Sequence, residues 1–392
     1  MKKPLEGLRV LDLSRVLAGP YCTMILADLG AEVIKIEPPG EGDDSRAFAP
    51  FIGNESAYFM SLNRGKKSIV LNLKNEKDKA AFLELVRIAD VLVENYRPGT
   101  MEKLGLGYEE LREINPRLVY AAISGFGHTG PYSQRPAYDM IVQAMGGIMS
   151  ITGEPNRPPT RVGTSVGDIT AALFGTIGIL TALNVRNTDG TGQKVDIGML
   201  DCQVAILENA IARYEVTGQA PKPMGSRHPS IAPFEAYPTK DYFVIIPAGN
   251  DTLWAKLCNI LGITQYIDDP RFKTNRDRVA NVEILYDLLG EVTKTRTTDE
   301  WMDILETGGV PVGPINTIDK VVADPQVLAR EMIVEITHPV AGPMKIAGNP
   351  IKLSDTPGKV SEPAPLLGQH TDWVLRDVLG WDDERIAAYK SE

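Results

Sequence analysis

Asp168 is the acidic residue whose surroundings most favour covalent chemistry. It follows the stretch Gly163–Gly167 (GTSVG) and precedes the apolar run Ile169–Leu183. An aspartate at the start of a helix can act as its N-cap by accepting backbone N–H bonds. The same helix end stabilises a carboxylate anion, and the flanking glycine permits close approach by a substrate, so the side chain could act as a nucleophile. The residues alone leave both roles open.

Basic residues cluster near the predicted strands. Asn63–Ser68 (NRGKKS) places three cations in a loop just before a strand, and Lys74 and Glu94–Gly99 follow successive strands. Lysine and arginine pair with phosphate oxygens, and the loops at the carboxyl ends of parallel strands meet at one edge of a sheet. We therefore predict a site for a phosphorylated ligand, with a solvated loop as the alternative for Asn63–Ser68.

Two short segments further along the chain also carry polar groups that could bind a ligand. Arg227 and His228 lie together in Gly225–Pro229 (GSRHP), within a proline-rich connection. Gly249 lies in the turn Ala248–Asn250, whose N–H groups could stabilise an oxyanion. A surface turn is the alternative in both places.

Several common chemistries have no support in this sequence. It contains no GxGxxG, GxSxG or HExxH motif, and its four histidines and three cysteines form no metal-spaced pair. A net charge of −10 argues against nucleic acid and anionic membranes as partners. The missing metal-spaced pairs predict that no metal is bound. The N-terminal segment has no long apolar stretch, which predicts that there is no signal peptide. Widely spaced cysteines, expected to be free thiols, predict a cytoplasmic protein.

A chain of 392 residues predicts two domains. Short apolar strands alternate with helices at the start of the chain, which predicts a Rossmann-like open parallel α/β sheet. One long helix is predicted at Leu200–Val216, before the proline-rich connection. We expect a large domain at 1–218, completed by 330–392, and a connector with a smaller α/β domain at 219–329.

Taken together, these segments resemble the class III CoA-transferase family, which includes formyl-CoA transferase and carnitine CoA-transferase. The resemblance extends over essentially the whole chain. Its seven motifs occur in order at Leu5–Pro20, Gly30–Glu37, Glu94–Gly99, Arg135–Asp139, Gly167–Gly175, Gly313–Thr317 and Pro365–Leu375.

The resemblance implies a role for each matching residue. Asp168 takes the place of the family's nucleophile, and Tyr138 and Asp139 take the places of residues that close over the acyl group. Apart from these family matches, Arg227 and His228 are candidates for holding the acceptor carboxylate, and Gly249 for contacting the substrate. The implied coenzyme A contacts are Val16, Ala18, Leu71, Asn72, Leu73, Lys74, Asn95, Tyr96, Arg97 and Lys103.

The family further implies an obligate homodimer of two interlocked rings. Its members use a coenzyme A thioester as a substrate and hold no permanent cofactor. The expected activity is therefore transfer of coenzyme A from an acyl-CoA to a carboxylic acid through an aspartyl-CoA thioester.

Some positions differ from formyl-CoA transferase. Pro38 stands where that enzyme has an arginine, Leu17 where it has a glutamine, and Phe48 where it has a tryptophan. Its glycine-rich lid is replaced by Met224–Thr239 (MGSRHPSIAPFEAYPT). These changes argue against formate and oxalate as substrates, and we predict succinyl-CoA as the donor.

Two other functions remain as alternatives. The α-methylacyl-CoA racemases share the resemblance, but they need a histidine as acid/base where this chain has Tyr138, whose pKa near ~10 makes it a poor base at neutral pH. A coenzyme A- or nucleotide-binding protein without catalysis is the other alternative. The retained Asp168 argues against it.

Overall fold

The computed structural model describes residues 3–391, which form two compact units. The larger unit contains the chain up to Ile148, Val162–Ala212, and the chain from Pro325 onward. The smaller unit contains Met149–Arg161 and Arg213–Asp324. The predicted boundaries at 218 and 330 lie near these divisions, but no sequence feature indicated that Met149–Arg161 belongs with the smaller unit.

The strands are β1 (Arg9–Asp12), β2 (Glu32–Glu37), β3 (Phe51–Ile52), β4 (Glu55–Ser56), β5 (Lys66–Val70), β6 (Val91–Glu94), β7 (Val119–Ser124), β8 (Lys194–Gly198), β9 (Phe234–Pro238), β10 (Phe243–Pro247), β11 (Gly313–Pro314), β12 (Ile333–His338) and β13 (Gly342–Ala347). The α-helices are α1 (Ala18–Asp28), α2 (Ala57–Leu62), α3 (Glu76–Ile88), α4 (Thr100–Lys103), α5 (Tyr108–Ile114), α6 (Asp139–Met145), α7 (Ile148–Ile151), α8 (Val166–Asp189), α9 (Met199–Ala205), α10 (Ala210–Thr217), α11 (Asp251–Leu261), α12 (Asn275–Ala280), α13 (Val282–Thr293), α14 (Thr298–Thr307), α15 (Ile318–Ala323), α16 (Pro325–Ala329), α17 (Thr371–Trp373) and α18 (Asp383–Ser391).

Six parallel strands form the sheet of the larger unit, in the order β5-β2-β1-β6-β7-β8. This confirms the predicted open parallel α/β sheet. The chain builds outward from β1 to β5 and then returns to place β6 beside β1. The loops that follow β1 and β6 therefore run apart, and such a switch point opens a crevice at the carboxyl edge of the sheet.

Apolar side chains cover both faces of this sheet because successive strand residues point to opposite sides. Leu11 belongs to the core on one face, which includes α3 residues such as Phe82. Val10 belongs to the core on the other face, which includes residues of α1 and α8 such as Cys22 and Ile179. Two covered faces are what a parallel sheet requires.

Helix α8 is long and apolar enough to cross a membrane, judged by length and composition alone. Half of its most apolar stretch is buried within the protein, as in the core helix predicted from the sequence.

The smaller unit contains an antiparallel sheet in the order β11-β10-β9. Trp254 of α11, Leu285 of α13 and Trp301 of α14 belong to the same core as Val244 and Ile246 of β10. This unit therefore has a hydrophobic core of its own.

The predicted single helix Leu200–Val216 is wrong. The structure has two helices there, since α9 ends at Ala205 and α10 begins at Ala210. Glu208 between them has a φ of 55°, a left-handed conformation that no α-helix can contain.

The predicted phosphate site at Asn63–Ser68 is also wrong, and so is its alternative as a solvated loop. Lys66 is fully buried and its Nζ lies 2.9 Å from Asp12 Oδ2. Arg64 is paired with buried Asp28 at 2.7 Å. Although burial disfavours the charged form, Lys66 and Lys35 hold the pKa of Asp12 well below its usual range. These cations tie strands and helix α1 together instead of binding a ligand.

We predict that Lys66→Met lowers the free energy of unfolding by about 3 to 5 kcal/mol, because it removes one partner of a buried ion pair. The matched control is Lys67→Met. Lys67 is the next residue of the same strand, and its partner Glu362 is half exposed (2.7 Å, side chains 27% and 53% accessible). That change should cost less than about 1 kcal/mol. Denaturant unfolding of the two variants checks the difference, and equal midpoints would contradict it.

Candidate active site

A cavity of about 200 Å³ lies at the switch point of the large sheet. Its walls come from the segments after β1, β2, β6 and β7 and from the starts of α6, α8 and α9. The lining residues are Arg15, Val16, Leu17, Ala18, Asp44, Asn95, Tyr96, Arg97, Pro98, Ile123, Ser124, Gly125, Arg135, Pro136, Ala137, Tyr138, Asp139, Asp168 and Met199. A larger cavity of about 330 Å³ lies at the amino ends of β1 and β2, the edge where open α/β sheets do not usually bind ligands.

The loop after β1 is held in an unusual conformation. Val16 has a φ of 66°, which is costly for a β-branched residue. Its N–H donates to Asp43 Oδ1 at 3.1 Å, and Asp43 Oδ2 lies 2.8 Å from Nζ of the buried Lys35. Lys35 also donates to the Ser14 carbonyl at 2.8 Å. A buried ion pair therefore fixes the backbone of this wall of the cavity.

The loops after β1 and β6 are joined to each other by a reciprocal pair of hydrogen bonds. The Arg15 N–H donates to Asn95 Oδ1 at 2.8 Å, and Asn95 Nδ2 donates to the Arg15 carbonyl at 2.7 Å. One amide side chain thus joins the two loops across the crevice.

Asp168 is not the cap of its helix. The N-cap residue of α8 is Ser165, and Asp168 is the third residue inside the helix. In the part of the chain that the structure describes, no hydrogen-bond donor reaches its half-buried carboxylate. The side chain lines the cavity instead, so the capping alternative is wrong and the carboxylate is available for chemistry.

Asp139 supports the start of α8 from the side. Its Oδ1 accepts the Gly167 N–H at 2.8 Å, and its Oδ2 accepts a bond from Gln143 Nε2 at 2.8 Å. Burial, and then the negative charge of Asp139, raise the pKa of Asp168 from 3.8 to about 7. A carboxylate with this pKa is basic, and its negative charge is poorly compensated.

Tyr58 is a functional candidate that the sequence did not suggest. Burial raises its pKa to about 12, with further contributions from the charges of Asp168 and Asp139, so its hydroxyl keeps its proton. Its ring packs edge-on against Phe48 at 5.4 Å. Tyr58 lies in the short helix α2, after a hairpin of two-residue strands, and such short elements give no periodic signal.

The structure brings many of the predicted site residues to this one cavity. Those that line it are Val16, Ala18, Asn95, Tyr96, Arg97, Tyr138, Asp139 and Asp168. Leu71–Lys74 follow the carboxyl end of β5 and Lys103 ends α4, and neither group lines the cavity. Their roles in binding coenzyme A stay predictions.

Arg227, His228 and Gly249 belong to the smaller unit. Arg227 is paired with Glu235 at 3.1 Å and with Glu283. The His228 ring stacks on Phe234, and its Nδ1 accepts the Ser230 N–H at 3.1 Å. At Gly249 a side chain would overlap Ile231, which explains the glycine by packing. Their roles toward an acceptor acid stay predictions.

A cavity at the switch point of a parallel sheet, with a desolvated carboxylate at the start of a helix, is the arrangement of an α/β enzyme that uses covalent catalysis. Comparison with known proteins identifies the family. The sequence profile of CoA-transferase family III matches residues 5–371. The chain therefore belongs to this family, and the resemblance seen in the sequence is confirmed.

Individual relatives of this chain are also CoA-transferases. The chain is 48% identical to an acetyl-CoA:oxalate CoA-transferase of Acetobacter aceti over 90% of both proteins. It is 43% identical to a human succinyl-CoA:glutarate CoA-transferase over 98% of this chain and 88% of that one. The crystal structure of a CaiB/BaiF family protein from Brucella suis is similar at a TM-score of 0.86 and 43% identity, covering 97% of this chain and 100% of that chain.

A racemase-type acid/base pair is not assembled in this cavity. Tyr138, at the position of the expected histidine, is 79% exposed. Among residues 3–391, no histidine lines the cavity. The site therefore offers the Asp168 carboxylate without an imidazole partner among the described residues.

We predict that activity falls as the pH drops through about 7, because Asp168 must be ionised to attack and its pKa is raised to about 7. Asp139→Asn removes the neighbouring negative charge, which should lower this pKa and move the acidic limb of kcat/KM for the donor down by about 1 pH unit. The pH dependence of kcat/KM checks both expectations.

The matched control is Asp201→Asn. Asp201 is an exposed acid of α9 that lies outside the cavity and makes no contribution to the shift in the pKa of Asp168. Its profile should keep the unaltered midpoint. An unchanged midpoint in Asp139→Asn would show that burial alone sets the pKa.

Proposed function

We propose that this chain transfers coenzyme A from succinyl-CoA to a carboxylic acid, with Asp168 as the nucleophile. The observation that carries the proposal is the Asp168 carboxylate, which lines the switch-point cavity without a hydrogen-bond partner among residues 3–391 and has a pKa raised to about 7. The donor follows from similarity to relatives that are succinyl-CoA:glutarate CoA-transferases.

The first half-reaction forms a covalent intermediate. A carboxylate oxygen of Asp168 attacks the thioester carbonyl, the C–S bond breaks, and coenzyme A leaves as a thiolate, giving a mixed anhydride. The thiolate then attacks the Asp168 carbonyl of the anhydride. The donor acid leaves as its carboxylate, and Asp168 is left as an aspartyl-CoA thioester.

The second half-reaction repeats these steps in reverse. The acceptor carboxylate attacks the aspartyl thioester and expels the thiolate, forming a second anhydride. The thiolate attacks the acceptor's carbonyl, which releases the new acyl-CoA and regenerates the Asp168 carboxylate. No net proton is taken up or released, so a histidine is not required.

Each attack places negative charge on a carbonyl oxygen, which needs hydrogen-bond donors. The Gly167 N–H is already bound by Asp139 and the Ala248 N–H by the Pro233 carbonyl. Neither is therefore free for an oxyanion. We propose the Tyr58 hydroxyl as a donor, because it is protonated and the charges of Asp168 and Asp139 both act on it.

We expect Asp168→Ala to lower kcat for transfer at least about 1000-fold while coenzyme A still binds, because it deletes the attacking group. Incubation with succinyl-CoA alone should give a peptide containing Asp168 whose mass includes coenzyme A, and the variant should lack it. Asp189→Ala, at the opposite end of the same helix α8, is the control and should match the unaltered protein. Normal turnover by Asp168→Ala would refute the mechanism.

We also propose the interlocked homodimer that the family implies. The larger unit exposes large apolar side chains on α6, α8 and α9, namely Met140, Met145, Leu173, Phe174, Ile177 and Val204. These three helices pack on one another, and exposed large apolar side chains on neighbouring helices support a protein interface there. We propose that a second copy of the chain covers this apolar surface.

We also propose a cytoplasmic location, which the three free, buried cysteines support.

Interlocked rings cannot exchange subunits without unfolding. Two differently tagged preparations should therefore each have the mass of a dimer and form no mixed dimers when incubated together for days. Mixed dimers should appear when the two chains are coexpressed or refolded together, which is the positive control. Sedimentation and tag pull-down give the readout, and a monomer or spontaneous mixing would contradict the proposal.

A further inference from the structure

The acidic side chains that line the switch-point cavity are only partly neutralised by its cations. Arg15 is neutralised by Asp44 at 3.0 Å. Asp139 and Asp168 remain as two neighbouring carboxylates, and repulsion between them contributes to the raised pKa of Asp168. An acceptor acid is itself an anion, so it must approach these carboxylates against repulsion. A second carboxylate on the acceptor would increase that repulsion unless a cation receives it.

Arg135 lines this cavity and is available to bind a second carboxylate of a substrate. Within residues 3–391 its guanidinium has no carboxylate at ion-pair distance. It lies over the ring of Tyr132, 3.9 Å from the centroid, and Tyr132 packs edge-on against Phe126 at 5.8 Å. An arginine stacked on an anchored ring is held in one orientation, so it loses little side-chain entropy when it binds an anion.

The backbone around Arg135 is fixed as well. Its N–H donates to the Tyr132 carbonyl at 2.8 Å, which closes a turn. Two residues on, Ala137 packs so closely on Gly125 that a side chain at Gly125 would lie 2.2 Å from it. The segment then continues into Tyr138 and Asp139, and Asp139 is bonded to the residue before the nucleophile. Arg135 is thus placed by the same segment that supports Asp168.

Two other arginines are weaker candidates for this role. Arg97 also lines the cavity, but it lies in the loop after β6 with Asn95 and Tyr96, which the family resemblance assigns to coenzyme A. Arg227, the candidate suggested by the sequence, already has Glu235 and Glu283 as partners.

We propose that Arg135 determines specificity for dicarboxylic acids, by binding the carboxylate distal to the one that reacts at Asp168. The inference rests on the proposed transferase function and extends it to a substrate class. The same contact would hold the free carboxylate of the succinyl group in the donor. A guanidinium binds a carboxylate through two parallel hydrogen bonds, so lysine should replace it only in part.

The test compares Arg135→Met with the unaltered protein on matched substrates. Glutarate and butyrate serve as acceptors, and succinyl-CoA and butyryl-CoA as donors, with products measured by mass spectrometry. We expect kcat/KM to fall about 30- to 100-fold for glutarate and succinyl-CoA, and less than about 3-fold for butyrate and butyryl-CoA. Arg135→Lys should recover part of the loss, and the affinity for free coenzyme A should not change.

Two control variants accompany this test. Arg112→Met removes another arginine that lies near a tyrosine ring, 5.9 Å from Tyr108, outside the cavity, and should change nothing. Arg227→Met tests the rival candidate and should leave the preference for glutarate over butyrate intact.

Each other outcome is decisive. Equal losses for dicarboxylates and monocarboxylates, with weaker binding of coenzyme A, would assign Arg135 to coenzyme A and overturn the inference. Unchanged rates in Arg135→Met, or loss of the preference in Arg227→Met, would overturn it too. Failure of the unaltered protein to transfer coenzyme A between any of these acids would instead refute the proposed function.

Discussion

A carboxylate that attacks a thioester must lose much of its hydration and still be ionised at working pH, and these two demands oppose each other. At Asp168, burial and a neighbouring acid raise the pKa to about 7, so the desolvated carboxylate is still partly ionised near neutral pH. This has a cost for folding. Because the folded pKa exceeds the ordinary value of 3.8, the folded chain holds a proton that the unfolded chain releases, and stability declines as pH rises between those values. The rest of the fold must supply the free energy that this residue takes away.

Buried ion pairs at the strand ends show how that support is arranged. Asp12, Lys35 and Lys66 join three adjacent strands, and Lys35 extends the network to Asp43. Burial opposes ionisation of Asp43, but Lys35 keeps its pKa below the usual range. Its carboxylate can therefore hold the N–H of Val16 in a backbone conformation that a β-branched residue rarely adopts. A neutral partner would hold that strained loop less firmly, since charge-assisted hydrogen bonds are the stronger ones.

The sequence predicted the parallel sheet and the position of Asp168 because both rest on local patterns, apolar strands alternating with helices and a helix start after a glycine-rich stretch. It misjudged residues whose partners are distant along the chain. Lys66 looked like a phosphate ligand because nothing nearby neutralises it, while its partner Asp12 lies 54 residues away. The same limit hid Tyr58, whose link to Asp168 exists only after folding. The predicted helix Leu200–Val216 is interrupted at Glu208, because a positive φ at a glutamate cannot be predicted from its residue type.

Arg135 and Asp139 place a cation and an anion on one short segment of the cavity wall. Asp139 raises the basicity of the nucleophile through its negative charge, and that charge also repels every acid the enzyme must bind. A cation too close to Asp168 would lower the pKa that Asp139 raises, although it would also reduce the repulsion of substrate acids. Arg135 lies four residues before Asp139, is held by Tyr132, and makes no contribution to the pKa of Asp168. In the proposed specificity, one carboxylate of a dicarboxylic acid reacts at Asp168 while Arg135 receives the other. The proposed specificity therefore needs no cation beside Asp168, where a positive charge would lower the pKa that Asp139 helps to raise.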